Sequence, residues 1–317
     1  MQDPQVGETL DRFQLIELLA QGGMASIFRA RDLDSGEEAV LKIPYMQYES
    51  DVVFHQRFLR EEEIGQRIRH PGIVRVLPAP ERSRLYLAME YVPGRSLAEV
   101  MAGERPLATE RALSIASQLC DALACLRVNG VVHRDVKPSN VRVLPSGAVK
   151  LLDFGIALDE AARRLTWSGL SHAVGTPDYM APEQIRGRRG DARTDVYALG
   201  TLLYEMLTGH LPFEPGSTTA LLHAKLHGEP TPPSVHRPGL DPALEAIVMR
   251  AIAREPRRRY AGAAEMLAHL RAPAEALVPP PLAPAPRTPG QQRRRAVAAL
   301  LFLCAVAAGL TTLVFLS

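Results

Sequence analysis

Hydrophobic positions alternate along the first part of the chain and recur at helical spacing along the rest. Phe13, Leu15 and the apolar pair Leu18-Leu19 predict a strand, and Ile27 with Phe28 predicts a second. A turn at Asp34-Ser35-Gly36 leads into a third strand over Ala39-Val40-Leu41-Lys42-Ile43. One helix interrupts this series: Phe58, Glu61, Glu62 and residues 64–68 fit a 3.6 period that stops before Pro71. From Thr109 onward the pattern is mainly helical. Leu113, Ala116, Leu119, Leu123 and Leu126 line one face of a helix ending near Gly130, and another helix, from about residue 195 to 208, is closed by Gly209. The expected fold class is therefore α+β, with a small β-rich lobe followed by a larger helical one.

The periodicity ends after residue 271. Residues 273–290 are Pro-rich and unpatterned, which predicts an extended, semi-rigid linker. Arg293, Arg294 and Arg295 then precede an uncharged run over residues 296–316. A helix over that run, at ~1.5 Å per residue, spans about 30 Å, the hydrocarbon thickness of a bilayer. The run is apolar on every face and follows a spacer, so a transmembrane helix is expected rather than a buried one. The arginines flank its N-terminal end alone, which places everything before it in the cytoplasm. Ala305-x-x-x-Gly309 leaves a homodimer of such helices open. The expected boundaries are an N-terminal extension over 1–12, a globular domain over 13–271, a linker over 272–292 and an Arg-flanked span over 293–317. No sensor domain is expected beyond the span.

Composition narrows the class without changing this layout. With 317 residues, 46% hydrophobic and 23% charged, the chain can bury a proper core in one or two domains. A formal charge of +2 gives no field that would make nucleic acid the main partner. Cys120, Cys125 and Cys304 form neither a metal-type spacing nor a disulfide framework, so a reducing compartment fits. The N-terminus lacks both a positive n-region and an apolar core, so no signal peptide is expected.

The chemistry concentrates in His133-Arg134-Asp135-Val136-Lys137-Pro138-Ser139-Asn140, followed thirteen residues later by Asp153-Phe154-Gly155. Phosphoryl transfer from ATP requires a carboxylate to orient the attacking hydroxyl and accept its proton, oxygen ligands for Mg²⁺, and cations against the phosphates. Asp135, Asn140 with Asp153, and Lys137 supply those groups in that order. Gly175-Thr176-Pro177-Asp178-Tyr179-Met180-Ala181-Pro182-Glu183 completes the set. Each tripeptide alone occurs by chance; in this order and at this spacing, residues 13–270 resemble the bacterial type of eukaryotic-like Ser/Thr protein kinase.

That resemblance implies a bilobal protein-kinase fold, a bacterial cell-membrane location through the C-terminal helix, and signalling by phosphorylation of Ser and Thr on protein substrates, the chain itself included. ATP with Mg²⁺ would be the cosubstrate, with Mn²⁺ as the alternative metal. Asp135 would be the catalytic base, Lys137 would steady the γ-phosphate, and Asn140 and Asp153 would bind metal. Lys42 would hold the α- and β-phosphates in partnership with Glu61, whose neighbours Glu62 and Glu63 lie on other helix faces. Leu19, Ala20, Gln21, Gly22, Gly23, Met24, Ala25, Ser26 and Ile27 occupy the place of the phosphate-covering glycine loop. Val40 would pack on adenine, and Met89 sits where a gatekeeper would, a plain core methionine being equally compatible. Lys137 and Gly175-Thr176 resemble Ser/Thr rather than Tyr kinases. Thr166, Ser168 and Ser171 are candidate phosphosites among Arg163, Arg164 and His172, with Arg134 as the partner of the phosphate. Glu183 with Arg259 resembles a buried ion pair of the lower lobe, and Asp195 resembles the aspartate that holds the catalytic loop.

Two departures bear on nucleotide binding. The first and third glycines of the loop are Ala20 and Ala25, whose cost depends on whether those positions need positive φ. Val40 stands where alanine is usual, and its extra methyls narrow the base pocket. The departures leave a second reading open, a membrane-tethered scaffold without catalysis. A third, a small-molecule phosphotransferase, shares the Asp/Asn/Asp chemistry but has no need of the segment from Gly175 to Glu183.

Overall fold

The alternating segments assemble into one antiparallel sheet with strand order β1-β2-β3-β4-β5. The computed structural model describes residues 3–49, 51–153 and 177–277. The strands are β1 Thr9–Leu10, β2 Phe13–Gln21, β3 Ala25–Asp32, β4 Glu38–Pro44 and β5 Leu87–Glu90. Phe13 and Leu15 are buried while Gln14 between them is exposed, the alternation of a half-buried strand. The alternation fails farther along β2, where the register to β3 shifts between Leu15 and Glu17 and again between Leu18 and Ala20. These bulges leave Leu18 and Leu19 40% and 43% exposed, although their apolar character alone reads as core. Phe13, Leu15, Phe28, Leu41 and Ile43 form a separate cluster with Tyr86, which meets Phe13 edge-on at 5.9 Å between centroids.

Between β4 and β5 lie α1, Met46–Glu49, and α2, Val52–Arg67. Helix α2 begins six residues before Phe58, the first position of the periodicity, and buries Phe54 and Phe58.

The second lobe is mostly helical: α3 Leu97–Gly103, α4 Thr109–Val128, α5 Pro182–Ile185, α6 Ala192–Thr208, α7 Thr218–His227, α8 Pro233–His236, α9 Pro242–Ala251 and α10 Ala263–Arg271. Ser96 caps α3 in a reciprocal pair with Glu99. Every residue of α6 from Thr194 to Thr208 is buried, so this helix is the lobe's axis rather than an amphipathic cover. Asp191 caps its start and Gly209, at φ 76°, ends it in the left-handed conformation. Two of its buried hydroxyls are satisfied within the helix: Thr201 donates to the Tyr197 carbonyl at 3.0 Å and Thr208 to that of Tyr204 at 2.8 Å. A Cβ at Gly200 would lie 2.6 Å from the Ala251 Cβ on α9, so glycine there sets the helix spacing.

Three very short strands, β6 Arg95–Ser96, β7 Val141–Val143 and β8 Val149–Leu151, form a second sheet at the top of the helical lobe. With two or three residues each they are too short to register as alternation, and the sequence pattern does not reveal them. One core cluster runs from Phe58, Leu87 and Met89 through Leu151 into Leu119, Leu123 and α6, so the small sheet joins the two lobes. Residues 273–277, expected at the start of an extended linker, instead form a 3-10 turn packed against α9, with Ala276 against the core. Among the described residues no helix is long and apolar enough to cross a membrane. The expected span over 296–316 and its flanking arginines lie outside them.

Candidate active site

Four segments meet where the lobes join: β4, α2, the loop 133–140 and the residues following β8. Lys42 sits on β4 opposite Ile27 of β3 and Leu87 of β5, which fixes its strand position from both sides. Its ammonium lies 2.6 Å from Asp153 Oδ1 and 3.7 Å from Glu61 Oε1. Burial opposes the charge on Lys42, but Asp153, Glu61 and Asp135 together outweigh it and lift the ammonium above its ordinary value. Burial likewise works against the Asp153 carboxylate, and Lys42 overrides it, holding Asp153 below the usual carboxylate range. The pair is thus charged on both sides in a site where an isolated charge would be expelled.

The three consecutive glutamates separate by environment. Glu61, 1% exposed, faces Lys42. Glu62, also buried, pairs with Arg82 at 2.5 Å and accepts from Gln66 at 3.2 Å. Glu63 pairs with Arg67 on the exposed face.

The loop 133–140 is held by its backbone. Asp195, in the first turn of α6, accepts the N–H of His133 at 2.9 Å and that of Arg134 at 2.7 Å. Burial pushes the Asp195 carboxyl up, against the pull of His133, Arg134 and these two donors. The His133 Nδ1 accepts the Asp135 N–H at 3.3 Å, so the ring proton sits on Nε2, which donates to the Leu152 carbonyl at 2.9 Å. Gln184 of α5 donates to the Arg134 carbonyl at 3.0 Å. These bonds hold Arg134 at φ 66°, and Asp153 stands at φ 53°. Left-handed conformations in non-glycine residues cost about 1–3 kcal/mol each and persist where the surroundings over-determine them.

Within the loop, Lys137 Nζ lies 2.7 Å from Asp135 Oδ2. Asn140 donates from Nδ2 to both the main-chain oxygen and Oδ2 of Asp135 at 2.8 Å, so its own amide oxygen is the atom left for a cation. The Asn140 carbonyl accepts the Leu152 N–H at 2.8 Å, which brings Asn140 beside the residue preceding Asp153. An amide oxygen and a carboxylate are hard donors, and so small a protein ligand set suits a Mg²⁺ ion that keeps waters and substrate phosphate oxygens.

The loop over 19–27 joins β2 and β3. The Gly22 N–H donates to the Ala25 carbonyl at 2.9 Å, closing the tip. Tyr45 donates its hydroxyl to the Gly22 carbonyl at 3.0 Å and Tyr48 to that of Gly23 at 3.3 Å, so the tip is held from below. Neither Ala20 nor Ala25 has positive φ, and the methyl each adds meets no backbone strain. Val40 pairs across the sheet with Met89, which is buried. Phe154, Gly155, Thr166, Ser168, Ser171, Gly175 and Thr176 lie outside the described residues.

Below the site, Glu183 and Arg259 meet in a bidentate pair at 2.8 and 2.9 Å, with Thr194 donating to the same carboxylate at 2.8 Å. Sequence reasoning missed Arg82, the two tyrosines under the loop and Lys225. All four read as ordinary surface positions, and only a cation or hydroxyl inside an apolar run could have flagged them.

The comparisons agree with this geometry. The protein kinase domain family matches residues 13–270. The serine/threonine-protein kinase PknB of Mycobacterium tuberculosis is 38% identical over 265 residues, covering 82% of this chain and 42% of that protein. The serine/threonine-protein kinase pkn3 of Myxococcus xanthus is 39% identical over 283 residues, covering 85% of this chain and 51% of that protein. The chain thus spans about half or less of the length of these relatives. The crystal structure of the M. tuberculosis PknI kinase domain superposes with a TM-score of 0.67 at 27% identity, covering 86% of this chain and 99% of that one.

Proposed function

The chain belongs to the protein kinase family, and from that premise we propose that it transfers the γ-phosphoryl group of ATP to Ser and Thr hydroxyls of proteins, itself among them. The observation that carries this reading is the meeting of the Lys42–Asp153–Glu61 cluster with the Asp135–Lys137–Asn140 loop, both charged and both held by second contacts. When bound, Mg²⁺-ATP supplies the phosphoryl group and the charge that draws the phosphates into line; Asn140 and Asp153 would hold the metal. Lys42, aligned by Glu61, would bind the α- and β-phosphates. Asp135 would orient the acceptor hydroxyl and take up its proton, and Lys137, already beside Asp135, would steady the charge that develops on the transferred group. The loop over 19–27 would cover the phosphates, Val40 would pack on adenine and Met89 would limit the pocket behind it. Every group the transfer needs is present, which favours an enzyme over a scaffold.

Regulation by phosphorylation at Thr166, Ser168 or Ser171 and attachment to the cytoplasmic face of a bacterial membrane through residues 296–316 complete the reading. The test is incorporation of phosphate from ATP into the full chain, with the sites mapped by mass spectrometry. Asp135→Asn should lower the rate by roughly 10²–10⁴-fold, the range for loss of a positioned base, and Lys42→Met should also lower it by orders of magnitude. Undiminished incorporation in both variants refutes the assignment. Phosphate confined to residues other than those three refutes the regulatory part alone.

A further inference from the structure

Lys225 is 2% exposed, and among the described residues no carboxylate lies within salt-bridge reach of its ammonium. It belongs to α7, which packs against the turn Pro177–Tyr179 and against α5. Its ammonium donates to the main-chain carbonyls of Asp178 and of Met180, the latter at 3.0 Å, and lies 5.3 Å from the centre of the Tyr197 ring on α6. Two of its N–H donors are thereby bonded to main-chain carbonyls. Burying a cation without an anion costs several kcal/mol, and an apolar side chain would fill the same space without that cost. Leu221, one turn earlier, does so on the same helix face. What the lysine adds is the hold on two carbonyls that flank Tyr179, whose hydroxyl donates to Glu205 on α6. Residues 178–180 are therefore held through their main-chain carbonyls by the Lys225 side chain of α7 and through the Tyr179 hydroxyl by Glu205 of α6, immediately before Ala181-Pro182-Glu183.

We propose that Lys225 is a positioning residue for protein substrates: its bonds to the Asp178 and Met180 carbonyls set the path of the backbone on which the acceptor segment is laid. This rests on the protein-kinase reading, in which that stretch is the substrate platform. Lys225 touches neither ATP nor the reacting atoms, so its influence should fall on protein substrate alone.

The experiment compares full-chain wild type with Lys225→Met, which keeps the stem and removes the donors, and Lys225→Gln, which keeps two N–H donors on a shorter stem. Myelin basic protein is the probe substrate, and hydrogen exchange is followed over peptides spanning 177–184. In the Met variant the KM for myelin basic protein should rise about tenfold, the equivalent of losing the hydrogen bonds to the two carbonyls. The KM for ATP should change less than twofold, exchange over 177–184 should accelerate, and the Gln variant should fall between. If the Met variant does not fold, the Gln variant carries the same comparison. An unchanged KM for the protein, or one that rises in step with the KM for ATP, overturns the proposal. A wild type that transfers no phosphate sinks the kinase reading instead, and unaltered exchange in the variants would then show that Lys225 does not position this backbone either.

Discussion

Burial pulls the Lys225 ammonium down to about 7, against the attraction of Asp178. The other charged or titratable groups around it change little between pH 7 and 10. Asp178 is raised by burial but starts from the carboxylate range, and burial pushes the Tyr197 phenol up and away. An unfolded lysine keeps its proton to about 10.4. Over the window from about 7 to 10 the unfolded state therefore holds the extra proton, so this residue makes stability rise with pH. Relative to Lys225→Met, the wild-type Tm should climb between pH 7 and 9; parallel melting curves at the two pH values would contradict the shift. The same scale shows where sequence reading stops. That Ala20 and Ala25 replace glycines is plain in the sequence, but φ is not, and the question of strain closes only once neither is found in the left-handed region.

Helix α2 shows how one element couples two ion pairs. Glu61 and Glu62 are adjacent, about 100° apart around the axis, so when the helix presents Glu61 to Lys42 it turns Glu62 to a neighbouring face. There Arg82 joins Glu62 at 2.5 Å and donates to the Tyr86 carbonyl at 2.8 Å, tying the helix to the chain entering β5. This contact fixes the helix rotation that aims Glu61 at Lys42. Glu62→Gln and Arg82→Met should each lower kcat/KM for ATP about tenfold, the scale of a charged hydrogen bond. As members of one contact, they should lose little more when combined. Losses that multiply, or none at all, would show that the helix is set by Phe54 and Phe58 alone. At this scale the sequence is informative where periods are long: α4 follows the apolar spacing, and Gly209 ends α6 as expected. It is blind to β6, β7 and β8, and it starts α2 at Phe58 although Phe54, one turn earlier, is buried as well. The loop 133–140 stands out in the sequence because the chemistry proposed for it needs particular residue types at fixed spacing. Arg82 and Lys225 do not, because their meaning lies in partners 20 and 45–47 residues away.

For the whole molecule, the proposed membrane attachment rests on the run over 296–316, which has no charged residue. A bilayer would satisfy such a run, since a membrane helix closes its own backbone hydrogen bonds and offers lipid an apolar face all round. Arg293, Arg294 and Arg295 at its N-terminal side would remain with the anionic cytoplasmic leaflet, each contributing on the order of 1 kcal/mol there. Full-length protein should accordingly sediment with membranes and require detergent for release, while a chain ending at Gln292 should stay in the supernatant. Protease added from the cytoplasmic side of inverted vesicles should digest the catalytic unit. Full-length protein in the detergent-free supernatant would overturn the anchor, and a catalytic unit protected in those vesicles would overturn its orientation.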